Sequence, residues 1–206
     1  MSLQLAASAN PAGDAVLHFP QDREIYGEGD AAGAFFKVVS GVVRTCKFLS
    51  DGRRQIDAFH VAGDVFGFEA GAAYRCSAEA VNDCTLNTYR RHGADRLAAN
   101  DIGAAQQLFS YAMQGMARAQ DHSLLLGRKN AAEKVAAFLL QCDRQPAGSD
   151  TVALAMTRQD IADYLGLTIE TVSRTLSQLE RDGVIALPSP RQIRLKDVAA
   201  LRELNA

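Results

Sequence analysis

"TIETVSRTLSQLERDG", residues 168–183, is the stretch that decides the fold of the C-terminal part of this chain. Thr168 is a residue type that caps helix N-termini, and Gly183 is typical of a helix stop. Between them, apolar residues recur at the three- and four-residue intervals of one helix face, at Ile169, Val172, Leu176 and Leu179. The other face carries Glu170, Ser173, Arg174 and Ser177. The pattern predicts a helix ending near Asp182 with one polar face free for contacts.

The residues before this stretch predict a second, shorter helix. "MTRQDIADYLGL", residues 156–167, allows a helix beginning near Thr157, with a turn at Gly166. Its inward side chains are Ile161, Ala162 and Leu165. Two helices joined by a turn of three or four residues containing glycine form a helix-turn-helix, whose second helix enters the major groove of DNA.

The residues after it predict a wing. "GVIALPSPRQIRL", residues 183–195, has two short β-type runs joined by "PSPRQ", and "KDVAALREL", residues 196–204, has the pattern of a short closing helix. A chance pair of helices would not need these additions. The combination therefore favours a winged helix-turn-helix and sequence-specific binding to double-stranded DNA.

The polar face of the second helix supplies the candidate base readers, Glu170, Ser173 and Arg174. Arginine donates two hydrogen bonds to guanine, and glutamate accepts from the cytosine amino group. Glu170 and Arg174 are four residues apart, so the alternative is an ordinary surface ion pair; Glu170 can also hold the Arg174 guanidinium in place. Phosphate contacts are predicted for Thr157, Arg158, Gln159, Thr168 and Ser177, with Arg191 as a weaker candidate.

The N-terminal half has the residue pattern of short β-strands. From Ile25 to Tyr89, short runs of Val, Phe and Ile alternate with glycine-containing turns. The pairs Ser40-Gly41, Asp51-Gly52 and Gly63-Asp64 predict hairpins of a small barrel or roll. Residues 1–18 are small and polar, which predicts a flexible N-terminal arm.

A long helix is predicted to follow the roll. An apolar stripe with three- and four-residue spacing predicts about 27 helical residues, roughly 40 Å long. The stripe suits a dimer seam against a second copy, although part of it must pack on its own roll; it consists of Ile102, Ala105, Phe109, Ala112, Met116, Ala119, Ser123 and Leu126. A further helix follows in "NAAEKVAAFLLQCDRQ", capped by Asn130, and a loop is predicted over residues 146–150.

The predicted architecture is therefore α+β, with an N-terminal β-roll like a cyclic-nucleotide-binding jelly roll, a long dimerisation helix and a C-terminal winged helix-turn-helix. The predicted boundaries are residues 1–18 for the arm, 19–98 for the β-roll, 99–127 for the dimerisation helix and 128–206 for the DNA-binding domain.

Composition indicates a globular protein, and its overall charge balance gives no sign of a nucleic-acid partner. Of 206 residues, 48% are apolar and 22% are charged, which is enough for two cores. The net charge is −2, so the positive charge that meets phosphates must be local. No run of eighteen apolar residues or secretion signal is present, which predicts a cytoplasmic protein without membrane contact. The sequence contains neither a nucleophile elbow nor a phosphate-binding glycine loop, so we do not expect an enzyme.

The chain resembles the CRP/FNR superfamily of bacterial transcription regulators over nearly its whole length. The resemblance rests on "IYGEGDAAGAFFKVVSGVVR" and "DGRRQIDAFHVAGDVFG" in the roll and on "ETVSR" in the second helix of the helix-turn-helix, the recognition helix. Glu170, Ser173 and Arg174 resemble the FNR-type reader, because Ile169 stands where CRP-type readers carry arginine. The resemblance implies a homodimer, a palindrome like TTGAT-N4-ATCAA and contact with RNA polymerase.

The sensing chemistry of that superfamily is not expected here. The FNR-type sensor holds an iron-sulfur cluster on N-terminal cysteines, but the first cysteine of this chain is Cys46. The cyclic AMP pocket of the CRP type needs adjacent Gly-Glu and Arg-Ser pairs, which "FGFEAGAAYRCSAEAV" lacks. Glu69, Arg75 and Ser77 remain a candidate pocket for a nucleotide or small anion, with an ordinary surface charge at Arg75 as the alternative.

No resident cofactor or metal is expected. The histidines lack metal-ligand spacing and lie at His18, His60, His92 and His122. Cys76 and Cys142 are candidates for redox modulation, with structural thiols as the alternative.

Within the superfamily, "FGFEAGAAYRCSAEAV" and "TRQDIADYLGLTIETVSRTLSQLERDG" most resemble the FixK branch. That resemblance implies an activator of microaerobic, nitrogen-fixation and denitrification genes that acts without a small effector. The alternative is a regulator whose DNA binding requires a ligand in the roll.

Overall fold

The computed structural model describes residues 8–10, 13–91, 102–143 and 151–205. The chain divides into two compact units, Met1–Ala119 and Gln120–Ala206. Several predictions lie outside the described residues: the arm at residues 1–7 and 11–12, the domain boundary between residues 98 and 99, the loop at residues 146–150, and His92. No helix in the described ranges is long and apolar enough to cross a membrane.

In the described part of the first unit, nine strands form two antiparallel sheets. The strands are β1 Ser8–Asn10, β2 Gly13–Phe19, β3 Glu24–Tyr26, β4 Ala34–Ser40, β5 Val43–Phe48, β6 Arg54–His60, β7 Val65–Phe66, β8 Ser77–Ala80 and β9 Cys84–Arg90. One sheet has the order β1-β2-β9-β4-β7, and the other has the order β3-β8-β5-β6. The predicted β-roll is confirmed.

Aromatic rings fill the interior of the roll. The Tyr26 and Tyr74 rings stack with centroids 3.7 Å apart, and Phe36 lies 5.8 Å from Tyr26 and 5.4 Å from Phe66. All four rings are buried, and Leu86 on β9 is fully buried beside them in the same core cluster. Each such ring pair contributes about 0.5–1.5 kcal/mol beyond the burial of its area, so the roll has a packed core.

The predicted arm extends too far along the chain. Gly13–Phe19 is strand β2, which pairs with β9 from Ala15 opposite Thr88 to Phe19 opposite Cys84. The prediction of an arm up to residue 18 was therefore wrong for residues 8–10, which form β1, and for residues 13–18. The β9 partners of β2 lie about 70 residues away in the chain, and a local pattern of small residues does not reveal such pairing.

Two of the three predicted hairpins are also wrong. Asp51-Gly52 does join the paired strands β5 and β6. Ser40-Gly41 instead leads from β4 in one sheet to β5 in the other, and Gly63-Asp64 leads from β6 to β7, again across the two sheets. A turn signal marks a change of chain direction, but it does not say which strand the chain pairs with next.

Gly41 and Gly52 allow a matched test of the connection at Gly41, where the chain passes from one sheet to the other. Both have φ near +85°, but a methyl group on Gly41 would lie 2.5 Å from the Asp83 carbonyl oxygen, whereas nothing lies within 4 Å of one on Gly52. The positive φ costs an L-residue about 1–2 kcal/mol. We expect Gly52→Ala to lower the free energy of unfolding by that amount and Gly41→Ala to lower it by about 3 kcal/mol or more, because of the added clash.

Urea unfolding of the two variants measures the difference. Equal losses would mean that the close approach between Gly41 and the Asp83 backbone does not constrain the roll.

Helix α1, Ile102–Arg128, has the predicted 27 residues and runs from the first unit into the second. One face is half-buried in the first unit at Leu108, Tyr111, Gly115 and Arg118. Arg118 pairs with Asp64 on the roll, with 3.2 Å between Nη1 and Oδ1. Large apolar side chains on another face are exposed, namely Ile102, Phe109, Met113, Met116 and Leu124.

The second unit continues with α2 Ala131–Cys142, β10 Thr151–Ala153, α3 Arg158–Leu165, α4 Ile169–Arg181, β11 Ile185–Ser189, β12 Gln192–Leu195 and α5 Val198–Asn205. Asn130 caps α2 in a capping box with Glu133, as predicted. The wing strands β11 and β12 are confirmed, and β10 pairs with β12 to complete a three-stranded antiparallel sheet. The predicted winged helix-turn-helix is therefore present.

Candidate nucleic-acid interface

A tight turn of three residues, Gly166 to Thr168, leads from α3 into the recognition helix α4, which begins at Ile169. Gly166 ends α3 in the left-handed conformation, with φ 61° and ψ 41°, and Thr168 caps α4 by accepting a hydrogen bond from the Thr171 amide at 3.2 Å. The apolar face of α4 is buried in its own unit at Val172, Leu176 and Leu179. The polar face is exposed at Glu170, Ser173, Arg174 and Ser177, so these side chains can meet a ligand together.

Arg174 lies beside Thr171, which was not among the predicted site residues. Its Nη2 donates to the Thr171 hydroxyl at 3.5 Å, and that hydroxyl also lies 3.1 Å from the Thr168 hydroxyl. Among the described residues no ion pair joins Glu170 to Arg174, so the alternative of an ordinary surface ion pair is not seen. The three-residue spacing of Thr171 and Arg174 was the available signal, because such residues are neighbours on a helix.

Glu170 is held as an anion at the start of the helix. Its own backbone amide, the Thr168 hydroxyl and, to a smaller extent, the positive charge of Arg174 lower the pKa of the Glu170 carboxyl. The side chain is exposed, and the positive end of the helix dipole favours a negative charge there. Glu170 therefore presents a hydrogen-bond acceptor at neutral pH.

The predicted phosphate contacts differ in availability. Thr168 and Ser177 are exposed, and Gln159 is exposed but donates to Asp163 Oδ1 at 2.6 Å. The Thr157 hydroxyl is occupied in the cap of α3, where it accepts from the Asp160 amide at 3.1 Å and donates to the Asp160 carboxylate at 2.8 Å.

The Arg158 guanidinium is less accessible to a phosphate than that of an exposed arginine. Its side chain is partly buried, burial lowers the pKa of its guanidinium, and its Nη1 is buried without a hydrogen-bond partner among the described residues. In this arrangement the Arg158 Nη1 is therefore not presented to a phosphate.

The wing adds positive charge that reaches solvent. Arg191 lies at the turn between β11 and β12, and Arg194 is exposed on β12 because Ile193 and Leu195 on either side are buried. The alternation in "QIRL" was the signal for Arg194.

Each candidate pocket residue of the roll already has a hydrogen-bond partner within the chain. Arg75 is bound to Glu69, with 3.1 Å from its amide and 2.8 Å from its Nε to the carboxylate, and its side chain is 83% exposed. The Ser77 hydroxyl is buried and accepts from the Glu28 amide at 2.9 Å. Glu69 lines a cavity of about 210 Å³, but Arg75 and Ser77 are not among its lining residues.

Of the two candidate redox thiols, Cys76 lies in surroundings that favour the protonated form. Burial raises the pKa of Cys76, and it raises the pKa values of Cys46 and Cys84 to about 11. Cys142 is half-buried. In the described ranges no three His, Cys, Asp or Glu residues form a group that could hold a metal ion.

Six of the eight predicted seam residues are exposed, which are Ile102, Phe109, Ala112, Met116, Ala119 and Ser123. Ala105 is half-buried, and so is Leu126, whose Cδ2 would lie 3.3 Å from a methyl group added at Gly166. A straight helix drifts by about 20° per heptad from a strict seven-residue repeat. At the C-terminal end the outward position has therefore passed from Leu126 to Leu124, which is 64% exposed.

A winged helix-turn-helix whose second helix leaves a charged, hydrogen-bonding face in solvent defines a DNA-binding protein. Comparisons with known proteins agree. The family model of the Crp-like helix-turn-helix domain matches residues 133–204, and that of the cyclic nucleotide-binding domain matches residues 16–101.

Individual relatives cover most of the chain. The nitrogen fixation regulation protein FixK of Azorhizobium caulinodans is 49% identical over 91% of this chain and 78% of its own length. The transcriptional activatory protein AadR of Rhodopseudomonas palustris is 40% identical over 84% of this chain and 74% of its own. The structure of FixK2 from Bradyrhizobium japonicum has a TM-score of 0.89 and 45% identity, and the match covers 98% of each chain. The chain belongs to the CRP/FNR family of transcription regulators, as a FixK-like member.

Proposed function

We propose that this protein binds as a homodimer to a palindrome resembling TTGAT-N4-ATCAA and activates transcription through contact with RNA polymerase. The observation that carries the proposal is the joint exposure of Glu170, Ser173 and Arg174 on the first turns of α4. The N-terminal residues of the second helix are those that reach base edges in a helix-turn-helix.

The chemistry of these three side chains suits the half-site. TTGAT contains one G·C pair, to which an arginine can donate two hydrogen bonds at guanine and a carboxylate can accept one from cytosine. Arg174 and Glu170 supply these groups, and the Arg174 guanidinium lies 3.5 Å from the Thr171 hydroxyl. Ser173 is exposed on the same face with a hydroxyl that both donates and accepts.

The dimer rests on α1. Its exposed apolar stripe, with Phe109 at 68% and Met116 at 49% exposure, is a surface that a second copy would cover. CRP/FNR regulators act as dimers. Pairing of two α1 helices would set the recognition helices about one DNA turn apart, roughly 34–36 Å, as a palindrome requires.

We further propose that binding needs no small effector. Stacked rings fill the interior of the roll, and Arg75 and Ser77 are bonded to other groups of the chain. The name of the FixK relative supports nitrogen-fixation genes as targets, and the name of AadR supports activation. We propose microaerobic and denitrification genes as further targets, as the resemblance to the FixK branch implies.

Fluorescence anisotropy with purified protein tests the proposal. Without any ligand, we expect tight binding to a duplex that carries the palindrome. Replacing the G·C pair of each half-site should weaken binding by a factor between about 30 and about 10⁴. Cyclic AMP added in large excess should change neither affinity. Binding that appears only with the nucleotide would support the ligand-dependent alternative instead.

Activation is tested separately by transcription in vitro from a promoter bearing the palindrome. We expect the transcript yield of purified RNA polymerase to rise with added protein. An unchanged or lower yield would contradict the activator role without touching DNA binding.

A further inference from the structure

The end of α3 that leads into the helix-turn-helix turn is held by two side chains from outside the motif. A helix leaves its last carbonyl groups without partners within the helix. Here the Ala162 carbonyl takes the amides of Gly166 and Leu167, which leaves later carbonyls to be satisfied elsewhere. His122 of α1 donates from Nε2 to the Tyr164 carbonyl at 2.8 Å, and Lys134 of α2 donates from Nζ to the Leu165 carbonyl at 3.1 Å.

These contacts are buried and have additional support. His122 is 6% exposed and Lys134 is 8% exposed. The His122 ring stacks on the Tyr164 ring with centroids 4.1 Å apart and planes 8° apart. The Tyr164 hydroxyl donates to Gln141 Oε1 at 3.1 Å, so Tyr164 is fixed from α1 and α2 at once.

His122, which contacts the Tyr164 carbonyl, lies on α1 next to the proposed dimer seam. The apolar stripe proposed as the dimer seam lies on the same helix, and its members Ala119 and Ser123 flank His122 within one turn. Thr168, three residues beyond Leu165, caps the recognition helix. His122, its neighbour Ser123 of the seam, the end of α3 and the turn into α4 thus all lie within the second unit.

We infer that His122 is a positioning residue for DNA recognition, which fixes the recognition helix relative to the dimer helix and thereby sets the spacing of half-sites that the dimer accepts. Lys134 acts with it by holding the neighbouring carbonyl at the negative end of α3. This inference rests on the proposed binding to a palindrome as a homodimer.

The consequence is a spacing preference. Adding or removing one base pair between half-sites moves one of them by about 3.4 Å along the DNA and by about 35° around it. A dimer with both recognition helices firmly held accepts only one spacing. A dimer in which α3 and α4 can tilt on α1 accepts more than one.

Three duplexes test this, with TTGAT and ATCAA half-sites separated by three, four or five base pairs. For the wild-type protein we expect a clear preference for four. We expect His122→Ala to reduce the ratio of Kd values between the five- and four-base-pair duplexes about tenfold. His122→Gln, which restores a donor toward the Tyr164 carbonyl, should recover part of that ratio. Asp121→Ala, at an exposed neighbouring position on α1, is the matched control and should leave it unchanged.

The outcomes separate the two proposals. A purely structural role of His122 lowers affinity for all three duplexes by one factor, and an unchanged ratio in His122→Ala would overturn the inference. If His122→Ala does not fold, His122→Phe keeps a ring against Tyr164 but lacks the donor and is judged by the same ratio. A wild-type protein that binds none of the duplexes would refute the proposed function instead.

Discussion

Replacing Arg174 with alanine is expected to abolish the protein's discrimination between its palindrome and other DNA. The guanidinium is exposed on the first turns of α4 and lies beside Thr171, where it can make two hydrogen bonds to guanine. Each such contact gives about 1–3 kcal/mol of discrimination, and a dimer makes it twice. The loss in the affinity ratio should therefore lie between about 30-fold and about 10⁴-fold.

The measurement compares Kd values on the palindrome and on a duplex with the two G·C pairs replaced. Arg181→Ala is the matched control: Arg181 is exposed in the last turn of the same helix and donates to Gln178. It removes an equal charge and should leave the ratio intact. Arg174→Ala with an unchanged ratio would show that Arg174 does not read bases. Arg158→Ala, by contrast, is expected to weaken binding to all sequences alike.

Replacing Phe109 with aspartate is expected to produce a monomer that binds the palindrome at least about a hundredfold more weakly. Phe109 is 68% exposed in the single chain and lies in the middle of the apolar stripe of α1. A charge there would be buried without a partner when two helices pair, at a cost that an apolar seam cannot offset. Two monomers must then bind the half-sites independently.

Analytical ultracentrifugation gives the mass, and anisotropy gives the affinity. Gln114→Asp is the control, because Gln114 is exposed on α1 about 140° around the helix from Phe109. It adds the same charge outside the stripe and should remain dimeric. If the Phe109→Asp variant remained a dimer, the dimer seam would have to lie on another surface.

The parts of the fold that follow from local pattern could be predicted from the sequence. Thr168 and Gly166 marked the turn into the recognition helix, Asn130 marked the start of α2, and three- and four-residue spacing gave the length of α1. These features depend on residues within a few positions of one another, where spacing and side-chain chemistry are sufficient.

Features that depend on distant partners could not be predicted. The pairing of Gly13–Phe19 with β9 and the crossing at Gly41 between sheets depend on strands far apart in sequence. At the interface, the exposed face of α4 was correctly predicted, but the Arg174 contact with Thr171 in place of Glu170 was not. Which of two neighbouring oxygens a long side chain contacts depends on its rotamer, and spacing does not determine that.

The most direct test of the central claim is selection of bound duplexes from a random pool by the purified wild-type protein, without any added ligand. The exposed face of α4 and the proposed dimer predict an enriched two-fold palindrome with one G·C pair in each half-site and a single spacing. Enrichment of no sequence, of an isolated half-site, or of the palindrome only after a nucleotide is added would contradict it.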